Sequence, residues 1–262
     1  MEYYKAHYKD EHHDVDIVIE NTQGEYKTNP LSFTLDGVTF RGTSLGDFEL
    51  ANPEQYEEAR EKFRILKHGG YNELAQDTFP YFYALQGYGL DLRMPIKLIR
   101  KSDYQEVPGE LKLAFSYEKR DDEKTKRGIC YLCDGERIYP DNCEVEEFVL
   151  LVEDELYSSS RKTLYFESAL LDISRQMQEK YYLKCCFTCQ YSEYSPYGND
   201  DFGNMLCYRR HKEACLKVNS KDEYFEYLED KDFDIYQETY LCEEYAERRQ
   251  SSGYRGFVEG VR

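Results

Sequence analysis

The feature that most constrains this chain is a series of short apolar alternations punctuated by turn dipeptides. Val15, Ile17 and Ile19 alternate with polar positions, as do Leu31, Phe33 and Leu35, then Val38 and Phe40. Side chains on a strand point alternately to its two faces, so each run predicts a strand with one buried face. Asp36-Gly37 separates two of these runs, and an Asp-Gly pair supplies the positive φ that a tight hairpin turn requires. Leu111, Leu113, Phe115 and Tyr117 form the cleanest alternation. Ile129, Tyr131 and Cys133 lead into a second turn at Asp134-Gly135, and Phe148 to Val152 reads as a buried strand. Ile96 and Leu98 share a face, with Pro95 marking an edge or a strand start.

Two segments carry the helical period instead. Asn52 is placed as a cap, Pro53 suits a first turn, and Tyr56, Ala59, Phe63 and Leu66 recur on one helical face until Gly69-Gly70. Phe166, Leu170, Ile173, Met177 and Tyr181 predict a helix over about 164–180. The expected fold is therefore α+β: a largely antiparallel sheet region, two main helices, and a cysteine-rich, zinc-stabilised C-terminal region. The expected domains are 1–157, β-rich with one inserted helix, and 158–262, a helix followed by the cysteine-rich part.

The core must accommodate 27 tyrosines and no tryptophan, so many buried phenol hydroxyls will need partners. A net charge of −18 repels nucleic-acid phosphate, so no nucleic-acid partner is expected. The longest apolar run is Phe148 to Val152, against the about 20 residues of a spanning helix, so no membrane span is expected. Met1-Glu2-Tyr3-Tyr4-Lys5 lacks the apolar stretch of a secretory signal, so the expected compartment is the cytoplasm. There, nine cysteines are expected as thiols or metal ligands, not as disulfides.

Cys186 and Cys189 form C-x2-C, followed by Cys207, His211, Cys215 and Cys242. A tight turn can aim both sulfurs of such a pair at one ion, and two further ligands complete a tetrahedral zinc site. Spacing leaves the fourth ligand open among His211, Cys215 and Cys242. Cys130 and Cys133 form a second C-x2-C, with Cys143 beyond, but strand alternation puts that pair on opposite faces. The only histidines are His7, His12, His13, His68 and His211, with no H-E-x-x-H, no G-x-S-x-G and no P-loop. No catalytic residues are expected.

The stretch from Cys186-Phe187-Thr188-Cys189 through Met205-Leu206-Cys207-Tyr208-Arg209 to Tyr240-Leu241-Cys242 resembles a bacterial family of unknown function. The resemblance covers about 185–256. It implies Cys186, Cys189, Cys207 and Cys242 as the structural zinc ligands. It also implies membership among proteins found near polymorphic-toxin loci, some of them regarded as immunity proteins.

Residues 222–247 hold eleven acids against one base, Lys231, a local formal charge of −10 with five interleaved tyrosines. Ser220 and Glu223 have the spacing of a capping box that opens a short helix. An acidic face with aromatic anchors suits a basic protein partner, and Glu223, Glu226, Glu229, Asp230, Asp232, Asp234, Tyr227 and Tyr236 are the candidate contacts. The expected function is a non-catalytic, cytoplasmic immunity protein that neutralises a cognate basic toxin. The alternatives are a regulatory or scaffold protein with structural zinc, or a zinc-dependent enzyme using Glu213 or Glu243.

Overall fold

The computed structural model describes residues 2–22, 30–72, 76–118, 131–197 and 202–248. The chain begins with β1 (Glu2–Lys9), β2 (Asp14–Asn21), β3 (Leu31–Leu35), β4 (Val38–Gly42), β5 (Glu49–Leu50), α1 (Tyr56–Ala59), β6 (Ile65–Asn72) and β7 (Asp77–Leu85). It continues through the long strands β8 (Gly89–Arg100) and β9 (Gln105–Glu118), then β10 (Tyr131–Cys133), β11 (Glu136–Ile138), β12 (Asn142–Val152) and β13 (Glu155–Ser158). Last come α2 (Phe166–Met177), β14 (Tyr181–Leu183), β15 (Ser192–Glu193), β16 (Met205–Cys207), α3 (Lys212–Cys215), α4 (Lys221–Tyr227) and β17 (Asp234–Tyr236).

This corrects the expected α+β class. The protein is mostly β, 47% strand and 16% helix. Thirteen strands form one path in the order β11-β10-β6-β7-β5-β4-β3-β2-β1-β8-β9-β12-β13, with β14 paired to β8 beside it. The sheet is mixed because β10 meets β6 in parallel, through Cys133 and Gly69. A separate small sheet has the order β15-β16-β17.

One of the two expected main helices is cut short and gives way to a strand. Asn52 does cap a turn, accepting the Glu54 N–H at 3.1 Å, but the α-helix ends at Ala59. Ile65 and Leu66 instead pair with Leu85 and Ala84 of β7, and Gly69-Gly70 lies in β6 at a register shift. The helical spacing was real but short, and pairing with β7 outweighs it. Pro95, expected at an edge or strand start, lies within β8. The predicted hairpin is present, with Leu35 opposite Val38 and positive φ at Asp36 and Gly37. The second turn also forms, with Cys133 opposite Glu136.

Two compact units interleave among the described residues: 2–22, 30–72, 76–92, 113–118 and 131–146 in the first, and 93–112, 147–197 and 202–248 in the second. The long strands β8, β9 and β12 contribute residues to both. The first unit has an aromatic core in which Phe33 meets Tyr8, Phe40 and Phe48 at 5.7, 5.2 and 4.9 Å between ring centroids. Its buried phenols are satisfied, as a tyrosine-rich core requires. Tyr8 donates to Asp10 at 2.8 Å, Tyr88 donates to the Leu45 carbonyl at 2.9 Å, and the Tyr4 oxygen accepts from Asn21 at 2.6 Å.

In the second unit α2 buries Phe166, Leu170, Ile173 and Met177, the face the periodicity predicted. Phe166 packs edge-on against Phe148 at 4.9 Å and tilted against Phe202 at 4.8 Å. β14 follows and pairs with Leu98–Arg100 of β8. No helix is long and apolar enough to cross a membrane, among the described residues.

Candidate functional site

The cysteine-rich part of the second unit is built from very short elements. A 3-10 turn spans Cys186–Thr188, and the Cys186 N–H donates to the Tyr240 carbonyl at 2.7 Å. Thr188 Oγ1 donates to the Leu183 carbonyl at 2.7 Å and holds the turn against the end of β14. Cys189 bridges to Glu247. Cys207 ends β16, opposite Ser192 of β15 and Asp234 of β17. Cys242 opens the turn whose Tyr245 N–H donates back to the Cys242 carbonyl at 3.2 Å.

These segments gather the predicted ligands. Burial pushes the Cys186 thiol well above its usual range, and the neighbouring Cys189, Cys207, Cys185 and Cys242 push it further. Burial likewise pushes Cys207 up to about 11; the Arg209 N–H and guanidinium oppose the rise, while Cys189 and Cys242 add to it. Cys186, Cys189, Cys207 and Cys242 therefore share one neighbourhood. Among the described residues, no three His, Cys, Asp or Glu side chains are arranged to hold a metal ion.

The other candidates lie elsewhere. His211 Nε2 is engaged by the Asp232 carboxylate. Cys215 is buried at the margin of the set, where its thiol donates to the Gln190 carbonyl at 3.6 Å. Cys133 is half-buried and Cys143 exposed, while Cys130 lies outside the described residues. Glu213 and Glu243, the acids an enzyme reading would use, are both exposed. The eight described cysteines are all free of disulfides.

Two buried charges beside the thiols were not legible in the sequence. Arg248 is 3% exposed, and its guanidinium donates to the carbonyls of Cys189, at 3.0 and 3.3 Å, and Ser192, at 2.7 Å. Loss of hydration pulls its pKa down to about 10, a large shift for an arginine. Glu238 is fully buried and accepts from the Gly203 N–H at 2.7 Å and the Tyr194 hydroxyl at 3.2 Å. Burial nevertheless prevails over those donors and pushes its carboxyl up to about 7.

The acidic segment is less acidic in space than in sequence. Asp234 is buried and accepts from Arg210 at 2.9 and 3.0 Å and from Arg209 at 3.2 Å. Arg209 also donates to the Tyr236 hydroxyl at 2.6 Å, and the Tyr236 ring stacks on Tyr240. Asp232 pairs with Arg210 at 2.7 Å, and Glu244 with Lys212 at 2.7 Å. The run Arg209-Arg210-His211-Lys212 thus answers several of the acids.

Ser220 caps α4 by accepting the Glu223 N–H at 3.2 Å, and the Glu223 carboxylate accepts the Asn219 N–H at 2.6 Å. Tyr224 and Leu228 pack inward against Leu206, Tyr208, Cys215 and Val218. Tyr227 is half-buried, with the Lys217 ammonium 5.7 Å from its ring centroid. Glu226, Glu229 and Asp230 are exposed at α4 and just beyond it, with no ion pair among the described residues.

The first unit carries a feature outside the cysteine-rich part. β7 holds Phe79, Tyr81 and Phe82 at 45%, 38% and 40% exposure, with Phe82 and Tyr81 on opposite faces. The ribbon is braced. Tyr81 donates to Asp134 at 2.6 Å under the Lys67 ammonium, and His68 stacks between Phe82 and Tyr131 at 5.3 and 4.4 Å. At the bulge, Gly69 has φ +111°, and a Cβ there would lie 2.2 Å from the Pro80 carbonyl oxygen.

The profile of a family of unknown function, DUF6304, matches residues 2–192. The chain belongs to this family. The DUF6304 match agrees with the resemblance in pointing to a family of unknown function, but its extent differs: it takes in Cys186 and Cys189 and stops before Cys207 and Cys242. Nothing in it concerns toxin loci or immunity. No curated protein and no solved structure matches the chain.

Proposed function

We propose that this DUF6304 protein is a non-catalytic protein-binding module for a basic partner. The observation that carries the reading is the β7 ribbon, where Phe79, Tyr81 and Phe82 are held in solvent on a braced sheet. Soluble proteins seldom keep large rings exposed together unless another surface covers them, and such rings are the usual anchors of binding energy. Asp222, Glu226, Glu229 and Asp230 add exposed negative charge at α4. Charge of this kind speeds encounter with a basic surface and contributes less to the final affinity. A secreted or injected toxin with a basic active cleft is the narrower partner class, and in that case the protein acts as a cytoplasmic inhibitor.

The test is co-expression with the product of the neighbouring gene. The expected result is a complex that loses about thirtyfold in affinity for each anchoring ring removed, the equivalent of about 2 kcal/mol. Phe79→Ser with Phe82→Ser should abolish it, and Glu226→Lys with Glu229→Lys should slow association and weaken its salt dependence. A neighbouring product that neither binds nor is neutralised removes the toxin reading. A basic partner that binds the ribbon variant as tightly as the wild type removes the ribbon.

A further inference from the structure

β7 is an edge strand over most of its length. It pairs with β6 along one side, from Leu85 opposite Ile65 to Asp77 opposite Asn72. On its other side β5 meets it at one residue pair, Glu49 with Ala84. From Asp77 to Tyr83, no strand lies on that side among the described residues. Backbone N–H and C=O groups point alternately to the two sides of a strand, so this edge presents donors and acceptors that no neighbouring strand takes, over about 23 Å. The Thr78 N–H turns instead to the Asp77 carboxylate at 2.7 Å. Pro80, which has no N–H, is tolerated in a strand at an edge or a bulge, and β7 offers both.

Open edges are usually short, charged or covered. This one is lined with rings: every residue from Asp77 to Phe82 is exposed, and Tyr81 and Phe82 face opposite ways, so an added strand meets a ring on each face. The Tyr81–Asp134 bond and the His68 stack hold the edge in place before anything binds, which lowers the ordering cost on this side. Charge selects the occupant. Asp77 stands exposed at one end of the open stretch, half-buried Glu49 stands at the join with β5, and Lys67 is committed to the Tyr81 ring at 3.7 Å. A second copy of this chain would use the same edge by two-fold symmetry, which makes the two strands antiparallel. Centred on Pro80, that pairing sets Asp77 of each copy opposite Tyr83 of the other, beside the Glu49 join, so like charges meet at both ends. Each copy also brings a net charge of −18. An extended segment carrying lysine or arginine meets the same acids favourably.

We propose that β7 takes up an extended, basic segment of the partner as an added strand along Asp77–Tyr83. Main-chain hydrogen bonds to the open edge supply the pairing, and the exposed rings and flanking acids choose the side chains. The inference rests on the reading of the ribbon as a binding surface, and it adds the form in which the partner must arrive there: a strand, not a folded basic face.

The experiment uses the full wild-type chain and a synthetic peptide of about ten residues in which lysine alternates with valine. The expected result is slower amide exchange over 77–83 when the peptide is present. The same peptide N-methylated at every residue keeps its side chains and charge but cannot donate from its backbone, and it should bind about tenfold more weakly or worse. A peptide alternating glutamate with valine should also lose about tenfold or more. Equal binding of the N-methylated peptide overturns strand addition and leaves a surface of rings and charge. Equal binding of the glutamate peptide overturns the basic occupant. If the lysine peptide at millimolar concentration gives no protection of 77–83, strand addition falls, while a ribbon-dependent complex with the neighbouring gene product keeps the binding reading; loss of both removes both. Protection of 77–83 that grows with protein concentration alone, together with a dimer, puts a second copy on the edge and overturns the proposal.

Discussion

Glu238 makes the protein's stability depend on pH in an unusual direction. Its carboxyl is fully buried, held by the Gly203 N–H and the Tyr194 hydroxyl, and burial pushes it up to about 7, above the ordinary glutamate range. The folded state therefore keeps a proton that the unfolded chain releases. A raised carboxyl pKa contributes its full stability below the unfolded value and loses it as pH rises through the folded one. The rise to about 7 corresponds to about 3 kcal/mol, lost between about pH 4.5 and pH 7.

Glu238→Gln isolates this effect, because an amide keeps the shape without titrating. Its oxygen can accept from Gly203, and its NH2 can donate to the Tyr194 oxygen, provided that hydroxyl turns to accept. The assay is urea unfolding of both proteins at several pH values, with the difference between them cancelling every other titrating group. Relative to the wild type, the variant should gain about 3 kcal/mol between about pH 4.5 and pH 8, which is about 6–12 °C in Tm for a chain of this size. A difference that stays constant over that range would refute the reasoning, since it would mean that Glu238 titrates alike folded and unfolded.

Gly69→Ala should destabilise the β6–β7 ribbon by about 1–3 kcal/mol or more, because the new Cβ meets the Pro80 carbonyl and φ is +111°; faster amide exchange confined to β6 and β7 is the measurement. Phe33→Ala should cost about 3–5 kcal/mol by emptying the centre of the first unit's aromatic cluster, read as a lower denaturation midpoint. Ser220→Ala should cost about 1 kcal/mol through loss of the α4 cap, with Ser220→Thr retaining most of it in the same assay. Asp234→Asn should cost about 1–3 kcal/mol by loosening Arg209 and Arg210 from a buried acceptor, and its destabilisation should persist in high salt better than that of an exposed pair.

What could be read from the sequence was local. The Asp36-Gly37 hairpin, the buried face of α2 and the cap at Ser220 each depend on residues within a few positions of one another, so periodicity and turn chemistry suffice. β6 carries a helical spacing that pairing with β7 overrides, and nothing within residues 56–66 announces that partner. Strand order is non-local: nothing near β1 announces that its neighbours are β2 and β8. The thiol set was legible through its spacing, whereas Arg248 and Glu238 sit in polar segments that look like surface. The charge count over 222–247 leaves out Arg209-Arg210-His211-Lys212, the bases that fold back onto Asp232, Asp234 and Glu244.

The place of β1 in the sheet sets the protein's hazard during synthesis. Glu2–Lys9 pairs with β2, the next strand to be made, but its other neighbour begins at Gly89, 80 positions after Lys9. At about 5–20 residues per second, that edge waits about 4–16 s for its partner. Open edges invite pairing with other nascent chains. The hairpin's answer is charge: Lys5, His7 and Lys9 line the exposed face of β1, and His7 ties to Asp14 and Asp16 across it. Replacing Lys5 and Lys9 with apolar residues would leave the finished fold nearly untouched and lower the yield of chains that reach it.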